Sequence, residues 1–272
     1  MKNKYLPVFS VIVPVFNAES TITCTLESVF RQSYGDFEVI IINDGSRDNS
    51  GKLIKRLIHN RENVRYLKQE NAGVASARNK ALGLARGKYF AFLDADDYWH
   101  EEKLKQFHLF IQSNPNTKVF YSDYQIITSN GQKLIKQYAP NQLSYNTLLW
   151  RNYIALSTAV VSRKDIEGVY FKNMGHEDYR FWLEVLSFQK SSGLALKVES
   201  ETPLTVYRLS ESSISRNKMR AIKWHWQILT DQNINIFSRF LYFTNYAVNN
   251  AFKSIKIKIA KKDLFDFNSK AR

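Results

Sequence analysis

Apolar runs rich in β-branched residues alternate with helical patterns along the first half of the chain. The runs Ser10–Phe16 and Phe37–Ile42 are nearly continuous, which is typical of strands covered on both faces of a parallel sheet. Between them, apolar residues recur at helical spacing from Ile22 to Phe30. Shorter strands are predicted over Val64–Leu67 and Tyr89–Leu93. This alternation predicts an α/β fold with a mostly parallel central sheet flanked by helices.

Turn and helix-start signals follow the carboxyl ends of the first two strands. Pro14 lacks an N–H, so we expect it to mark the end of the first strand. Asn17–Ser20 then has the composition of a helix start, and Asn43–Ser46 is a turn signature. Ligands of open α/β sheets bind outside the carboxyl ends of the strands, so these segments should share one edge.

Three carboxylates follow the strand Tyr89–Leu93 within four positions, at Asp94, Asp96 and Asp97. Carboxylates at this density repel one another and need solvent or a cation. Hard divalent cations such as Mg²⁺ or Mn²⁺ prefer oxygen ligands of this kind, often shared with substrate phosphates. A turn followed by a helix N-cap is the ordinary alternative, because aspartate suits both.

Two further segments are candidates for chemistry. Arg78 lies one turn into a helix opened by Gly73, and it is either a surface arginine or a cation beside a diphosphate or the aspartates. Glu177 and Asp178 begin a strongly apolar helix over Tyr179–Phe188. The helix dipole alone favours carboxylates there; the functional alternative is a general base facing a pocket.

The pattern changes in the second half of the chain. Strands over Tyr124–Thr128 and Gln132–Gln137 form a predicted hairpin, and a further strand is predicted over Leu156–Ser162. From Asn217 onward, aromatic and apolar residues mix with lysine and arginine, and Lys253–Lys262 is a basic run with isoleucines between. That segment is either a solvated charged tail or an interfacial helix that binds anionic lipid.

Composition narrows the partners and the compartment. The 272 residues include 39 Lys and Arg against 25 Asp and Glu, a formal net charge of +14, which indicates a polyanionic partner: nucleic acid, an acidic membrane surface or phosphorylated substrates. The single cysteine, Cys24, excludes an internal disulfide framework and fits a reducing compartment. With no secretory signal and no run of about 20 apolar residues, we expect a cytoplasmic protein, soluble or peripheral at the inner face of the cytoplasmic membrane.

The ordered set of motifs resembles family 2 inverting glycosyltransferases of the GT-A type. Five segments carry the resemblance: S-V-I-V-P-V-F-N (Ser10–Asn17), N-D-G-S (Asn43–Ser46), N-A-G-V-A-S-A-R-N (Asn71–Asn79), L-D-A-D-D (Leu93–Asp97) and H-E-D (His176–Asp178). It implies a GT-A domain over residues 1–215, with a Rossmann-like nucleotide-sugar half over about 8–115 and an acceptor half over 116–215. Residues 216–272 lie outside it and are expected to form a basic amphipathic helical extension.

The resemblance implies a donor site and a metal. The donor set consists of Pro14, Phe16, Glu19, Asp44, Asn71, Arg78, Asp94, Ala95 and Asp96. The first three of these would line the nucleotide base and ribose, Asp44 would accept a hydrogen bond from the base, usually uracil, and Asp94 would lie near the ribose. Asp96, together with Asp97, would bind the Mn²⁺ or Mg²⁺ that bridges the diphosphate.

The implied reaction transfers a sugar with inversion. A hexose or N-acetylhexosamine would move from a nucleotide-sugar to a hydroxyl of a growing surface glycan such as lipopolysaccharide, O-antigen or capsule. The expected nucleotide-sugar is a UDP-sugar. Asp178 would deprotonate that hydroxyl, and Glu177 or Trp182 would shape the acceptor pocket. The glycan could be linked to a lipid at an anionic inner-leaflet surface; no nucleic-acid partner is expected.

Two other classes of function are weighed against this one. A non-catalytic binder of anionic membranes or nucleic acid fits the net charge of +14 alone, but it does not explain why carboxylates gather where strands end. A nucleotidyltransferase should carry a glycine-rich, lysine-bearing phosphate loop after the first strand, and Asn17–Ser20 is no such loop.

The chain departs from the family pattern at two positions. Asn43 stands where an aspartate often precedes the turn, so the base pocket carries one negative charge fewer. Ser210 stands where a histidine often provides a metal or diphosphate ligand, a role that Arg208, Ser213 or Arg216 could take over.

Overall fold

The computed structural model describes residues 6–129, 131–187, 194–209 and 218–270, which form twelve strands and eight α-helices. The strands are β1 (Phe9–Val15), β2 (Phe37–Asn43), β3 (Val64–Lys68), β4 (Tyr89–Phe92), β5 (Tyr98–Trp99), β6 (Val119–Ser122), β7 (Tyr124–Ile127), β8 (Lys133–Gln137), β9 (Gln142–Leu143), β10 (Val160–Ser162), β11 (Ala195–Val198) and β12 (Thr205–Arg208). The helices are α1 (Ile22–Phe30), α2 (Ser50–Leu57), α3 (Val74–Leu84), α4 (Lys103–Ser113), α5 (Tyr145–Trp150), α6 (Glu177–Ser187), α7 (Lys218–Thr230) and α8 (Ile236–Lys270).

The central sheet has the strand order β3-β2-β1-β4-β10-β6-β11-β9. The first four strands are mutually parallel, and β10 runs antiparallel to both of its neighbours, β4 and β6. The predicted α/β fold with a mostly parallel sheet is therefore confirmed. A second sheet, β5-β12-β7-β8, contains the predicted hairpin as the antiparallel pair of β7 and β8.

Alternate residues of the central strands pack on opposite faces of the sheet. Ile12 and Ile40 belong to a core shared with α3, α6 and α7, whereas Val13 and Ile41 belong to a core shared with α1, α2 and α4. All four side chains are fully buried. Because both faces are covered, the strands need apolar residues at every position, which explains the continuous runs in the sequence.

Two expectations about strand boundaries are wrong. Pro14 does not end β1, since it pairs with Ile42 of β2 and the strand continues to Val15. The last bond from β4 to β1 runs from the Leu93 N–H to the Ile12 carbonyl, so the missing N–H of Pro14 falls on the side that β4 has already left. The predicted strand Leu156–Ser162 begins only at β10, because a 3-10 turn occupies Leu156–Thr158.

The two C-terminal helices pack on the second half of the chain. On α8, Tyr242 contacts the Trp150 ring edge-to-face at 4.7 Å, and Asn245 donates a hydrogen bond to the Trp150 carbonyl at 2.7 Å. None of the helices in the described ranges combines the length and the apolar character that crossing a bilayer requires.

Candidate functional site

The strand order reverses between β1 and β4. From β1 the chain proceeds outward through β2 and β3, whereas β4 lies on the opposite side of β1. Asn17 follows β1 and Asp94 follows β4, so the two segments flank this reversal. In open α/β sheets the crevice at such a point, outside the carboxyl ends of the strands, is the usual ligand site.

Asp94 and Asp96 are the partly exposed carboxylates at this edge. The side chain of Asp94 is 32% exposed and accepts a hydrogen bond from Arg78. Burial and the charge of Asp94 raise the pKa of Asp96 to about 6, against the opposing charges of Arg208 and Arg78. The two carboxylates repel each other when both are ionised, and a metal cation or a positively charged group beside them would stabilise the ionised forms.

Asp97, in contrast, is buried and bound to the protein. The Ser157 hydroxyl donates to one of its carboxylate oxygens at 2.6 Å, and the Arg208 N–H donates to the other at 3.1 Å. Burial and the two neighbouring aspartates raise the pKa of Asp97. Of the two predicted metal ligands, Asp96 is thus the one whose carboxylate faces the edge, while Asp97 ties the loop to β12 and to Ser157.

Arg78 connects this edge to the beginning of α6. Its guanidinium donates to Asp94 at 2.7 Å and to Glu177 at 2.6 Å, and its side chain is only 4% exposed. The two carboxylates raise the pKa of Arg78 above its usual range despite burial, so it stays charged. The fork of the guanidinium can serve two carboxylates at once, which a lysine cannot do.

Asp178 follows Glu177 on the first turn of α6. Burial and the charge of Glu177 raise its pKa, while His176, Arg78 and the Tyr179 N–H lower it. The Asn152 side-chain amide donates to one of its oxygens at 3.1 Å. A carboxylate with a raised pKa is chemically suited to accept a proton.

The residue before this acidic pair is braced by the C-terminal helices. His176 adopts a left-handed backbone conformation with φ 56°. Its ring meets Trp224 of α7 edge-to-face at 5.8 Å, and its Nε2 lies 3.4 Å from the Tyr246 hydroxyl of α8. Behind it, the His225 ring stacks between Tyr179 and Tyr246, and burial lowers the pKa of His225 to about 3. This histidine is therefore neutral near pH 7 and serves as an aromatic spacer.

The turn after β2 is fixed by internal hydrogen bonds. Asp44 is buried, and its carboxylate accepts from the N–H groups of Ala72 and Gly73, both at 2.9 Å, and from the Gln69 amide at 2.7 Å. The Asn71 amide donates to the Asp44 carbonyl at 3.0 Å. Asp44 thus shapes the Asn71–Gly73 segment, whether or not it also meets a ligand.

Asn43 uses both ends of its amide. Its oxygen accepts from the Ser46 N–H at 2.8 Å, and its nitrogen donates to the Tyr66 hydroxyl at 3.0 Å. The adjacent Gly45 has φ +76°, and a side chain there would meet the backbone of Asn71. The asparagine that departs from the family pattern therefore fits its local hydrogen-bond partners.

The loop after β1 carries the other predicted donor residues. Phe16 is 49% exposed at the end of the strand, whereas Pro14 is buried within it. Glu19 accepts from the backbone and side-chain nitrogens of Asn49, at 2.8 and 3.1 Å, and so joins this loop to α2. The Ala95 carbonyl accepts hydroxyl hydrogen bonds from α1 and its N-terminal flank.

Trp182 is not available to line an acceptor pocket, so that interpretation is wrong. Its side chain has no exposed surface and packs edge-to-face against Phe92 of the central sheet and Phe181. Glu177 remains at the site through its bond to Arg78. Of the suggested substitutes for a histidine at position 210, Arg208 is placed beside Asp96, its Nε 3.3 Å from the Asp96 carbonyl; Ser210, Ser213 and Arg216 lie outside the described residues.

Within the described part of the chain, no three acidic, histidine or cysteine side chains converge closely enough to hold a metal by themselves. The carboxylate ligands at this edge nevertheless fit one hard cation. Asp96 is partly exposed, and a cation there would offset the negative charge of Asp94, which opposes the ionisation of Asp96. Carboxylate ligands of Mg²⁺ and Mn²⁺ commonly act alongside substrate phosphates and water.

A comparison with protein families identifies the chain. The family described as Glycosyl transferase family 2 matches residues 10–170, which include β1, the aspartate edge and β10. This chain belongs to glycosyl transferase family 2. Membership makes the chain a glycosyltransferase, and the interpretation as a non-catalytic binding protein is not supported.

Among curated proteins, this family 2 glycosyltransferase is similar to "UDP-Glc:alpha-D-GlcNAc-diphosphoundecaprenol beta-1,3-glucosyltransferase WfgD" of Escherichia coli. The two are 35% identical over 240 residues, which cover 88% of this chain and 92% of WfgD. The similarity thus extends beyond the family match into the C-terminal part of the chain.

Solved structures show the GT-A fold. TarS 1–349 of S. aureus in complex with UDP-GlcNAc matches with a TM-score of 0.67 and 20% identity, covering 88% of this chain and 71% of TarS. The mannosyltransferase PcManGT from Pyrobaculum calidifontis, in complex with GDP-Man and Mn²⁺, matches with a TM-score of 0.64 and 16% identity, covering 98% and 76%. The GT-A fold predicted for the glycosyltransferase is confirmed.

Several residues of the site carried no signal in the sequence. Ser157, which binds Asp97, and Asn152, which binds Asp178, stand in a segment without a motif. Tyr246 lies far outside the family match. Spatial contact between distant segments created these roles, and a single sequence does not display such contacts.

Proposed function

We propose that this glycosyltransferase moves a hexose from a UDP-sugar to a hydroxyl of a lipid-linked surface glycan, with inversion at the anomeric carbon. The observation that carries the proposal is the bridge from Asp94 through Arg78 to Glu177. In this proposal the bridge would hold the aspartate edge and Asp178 on two sides of one crevice. The activity named for WfgD supports a glucosyl donor and a GlcNAc-diphosphate-lipid acceptor, and the UDP-GlcNAc complex of TarS supports a UDP donor.

The donor would lie along the carboxyl ends of β1, β2 and β4, in the half over residues 8–115. The exposed Phe16 ring would cover the base, with Pro14 and Glu19 fixing its loop. Asp44 has an oxygen with a single described hydrogen bond, to Gly73, and this oxygen would accept from the base. Asp94 and the Ala95 backbone would face the ribose.

The diphosphate would lie beside Asp96. A divalent cation, Mn²⁺ or Mg²⁺, held by Asp96 would offset the negative charge that grows on the leaving diphosphate. Arg208, whose Nε contacts the Asp96 carbonyl, would add positive charge at the same place. Asp97 would act indirectly by holding Ser157 and the backbone of Arg208.

Asp178 would be the base. The acceptor hydroxyl oxygen attacks the anomeric carbon from the face opposite the diphosphate, and its proton passes to the Asp178 carboxylate. The new C–O bond forms as the bond to the diphosphate breaks, and UDP leaves with the bonding electron pair. Arg78 would orient Glu177 through their ion pair, and Asn152 would orient Asp178.

The acceptor would be bound by the half over residues 116–215, and residues 216–272 would form the extension that brings the enzyme to its lipid-linked acceptor. A growing lipopolysaccharide, O-antigen or capsule chain on the inner face of the cytoplasmic membrane is the acceptor class that this proposal names.

Two substitutions separate donor binding from chemistry. We expect Asp178→Asn to leave UDP binding unchanged and to lower turnover by about 10²–10⁴-fold, because only proton transfer is lost. Asp96→Ala should abolish the Mn²⁺-dependent increase in Tm that UDP produces. Thermal unfolding with UDP, GDP and CDP, with and without Mn²⁺, measures donor binding. Transfer from UDP-glucose and UDP-GlcNAc to a GlcNAc-diphosphate lipid measures turnover.

Glu62→Gln is the matched control, since Glu62 is an exposed carboxylate before β3. Full transfer activity in Asp178→Asn would refute the base assignment. A Tm increase with GDP in place of UDP would keep the fold and overturn the donor.

A further inference from the structure

A straight apolar stripe runs along the outer side of α8. It consists of the exposed large side chains Phe237, Leu241, Val248, Phe252, Ile255 and Ile259. Their spacings of three, four or seven residues keep them within a narrow sector of a helix with 3.6 residues per turn. At 1.5 Å per residue, the stripe is about 33 Å long. The exposed Thr244 is the polar residue between Leu241 and Val248 on this side. Exposed apolar surface of this extent marks an interaction site.

The opposite side of α8 is already occupied by the enzyme. Tyr242 packs on Trp150, Phe243 packs on Trp226 of α7, and Tyr246 stacks on His225. Over its first turns α8 is therefore apolar on two sides. The sequence predicted an amphipathic helix, with one apolar side. The distinction is between an apolar side that is covered and one that is open to a partner.

The sequence of α8 is rich in positive charge. The α8 sequence contains seven lysines and arginines against two aspartates, and Lys256 is exposed between Phe252 and Ile259. Alongside it, a groove between α7 and α8 is lined by Arg220, Lys223, Trp226 and Phe243. Two copies packed stripe to stripe would bring these cationic segments together, which Coulomb repulsion opposes. An anionic lipid surface supplies both the apolar interior and the opposite charge.

We propose that α8 lies in the plane of an anionic bilayer surface, with its Phe237–Ile259 stripe inserted among the acyl chains and its lysines among the phosphates. The proposal deepens the proposed function by naming the surface on which a lipid-linked acceptor is met. The same helix reaches the candidate base region, because Tyr246 contacts His176, two residues before Asp178. Binding of α8 to lipid would thus set the acceptor crevice at a fixed place relative to the membrane.

Vesicle flotation with the full chain tests this proposal without any turnover. We expect the wild type to float with vesicles of phosphatidylglycerol and phosphatidylcholine, and to bind at least tenfold more weakly to phosphatidylcholine alone. The triple variant Phe237→Gln/Phe252→Gln/Ile255→Gln should lose at least tenfold in partitioning; glutamine keeps the helix propensity. Lys256→Gln should weaken binding to the anionic vesicles about fivefold and leave phosphatidylcholine binding unchanged.

A matched control removes similar exposed apolar groups elsewhere. Leu109, Tyr138 and Tyr170 are each more than half exposed and lie on other elements, so their triple glutamine variant should float as the wild type does. Equal flotation of the stripe variant and the wild type would overturn the proposal. So would a wild-type dimer in analytical ultracentrifugation that the stripe variant abolishes without any lipid binding. Because flotation needs no donor, its failure would leave the proposed transfer reaction standing.

Discussion

Arg78 and Glu177 form a buried ion pair at 2.6 Å that joins α3, beside the aspartate edge, to the first residue of α6. The same guanidinium holds Asp94 at 2.7 Å. The two proposed halves of the enzyme therefore share one cation at the crevice, and the position of the candidate base depends on a residue of the donor half.

Arg78→Lys should remove one of the two ion pairs that connect these halves. A lysine ammonium cannot fork to both carboxylates, so one of them is left without its partner. We expect the free energy of unfolding in urea to fall by about 3 kcal/mol, the lower end for a broken buried pair, because Asp94 is a third exposed. Transfer activity should fall at least tenfold. Arg65→Lys is the control and should cost less than about 1 kcal/mol, since Glu38 keeps Arg86 as a second cation. Equal losses in the two variants would contradict the bridging role.

The pH dependence of transfer should reflect the ionisation of Asp178. Its pKa is raised above the ordinary 3.8, and only the ionised carboxylate accepts a proton, so kcat/KM should fall as pH falls through the raised value. Asn152→Ala removes a donor that stabilises the ionised form. The acid limb of kcat/KM should then move to higher pH, with about a tenfold loss at the optimum. Asn116→Ala, at an exposed turn, should leave the profile in place. A reduced rate with an unmoved limb would instead indicate a purely structural role for Asn152.

Lys103 offers a test in the stability of the enzyme. It is fully buried, its side-chain nitrogen donates to the Thr158 carbonyl at 3.1 Å and the Thr205 hydroxyl at 2.9 Å, and burial lowers its pKa well below 10.5. The unfolded chain binds the proton up to 10.5, so folding releases it at any pH between the lowered pKa and 10.5. Across that window the wild type should gain stability relative to Lys103→Met as pH rises, by about 1.4 kcal/mol per pH unit.

Urea unfolding of both proteins between pH 7 and 10.5 measures this difference. Lys105→Met is the control, because Lys105 is half exposed and pairs with Glu102 at the surface. Its difference from the wild type should stay flat over the same range. A flat difference for Lys103→Met as well would mean that Lys103 is protonated in the folded enzyme.

Gly175 allows α7 to approach the candidate base loop. A Cβ at this position would overlap the Trp224 ring, so Gly175→Ala must displace either α7 or the segment leading to His176 and Asp178. We expect at least a tenfold loss of kcat, because the displaced segment carries the candidate base. Adding Trp224→Ala should recover part of the loss. Additive losses in the double variant would show that the two residues do not meet.

The sequence was sufficient to predict the parallel half of the sheet. Strands such as β1 and β2 are buried on both faces, so every position must be apolar and the run is visible without any partner. The predicted strand Leu156–Ser162 included β10 but began too early, because only three residues, Val160–Ser162, pair as a strand. Their insertion between β4 and β6 is decided by tertiary pairing.

The aspartate edge was predictable because it follows directly from the end of β4. The difference between Asp96 and Asp97 was not, since it depends on the distant Ser157 hydroxyl and Arg208 N–H, which donate to the carboxylate of Asp97. The prediction that Trp182 lines the acceptor pocket was wrong for a similar reason. Trp182 stands one helical turn after Asp178, which suggests the same side of α6, yet its ring is taken up by Phe92 in the core.

The contact between Tyr246 and His176 also has a consequence for the order in which the protein acquires its parts during synthesis. The strands β1 to β4 are complete once residue 92 has left the ribosome, and they can pair before the rest of the chain exists. The His176–Asp178 segment receives its contacts with Trp224 and Tyr246 only when α7 and α8 emerge. A nascent chain should therefore acquire the scaffold of the proposed donor site well before the candidate base is fully supported, and sugar transfer should begin late in translation.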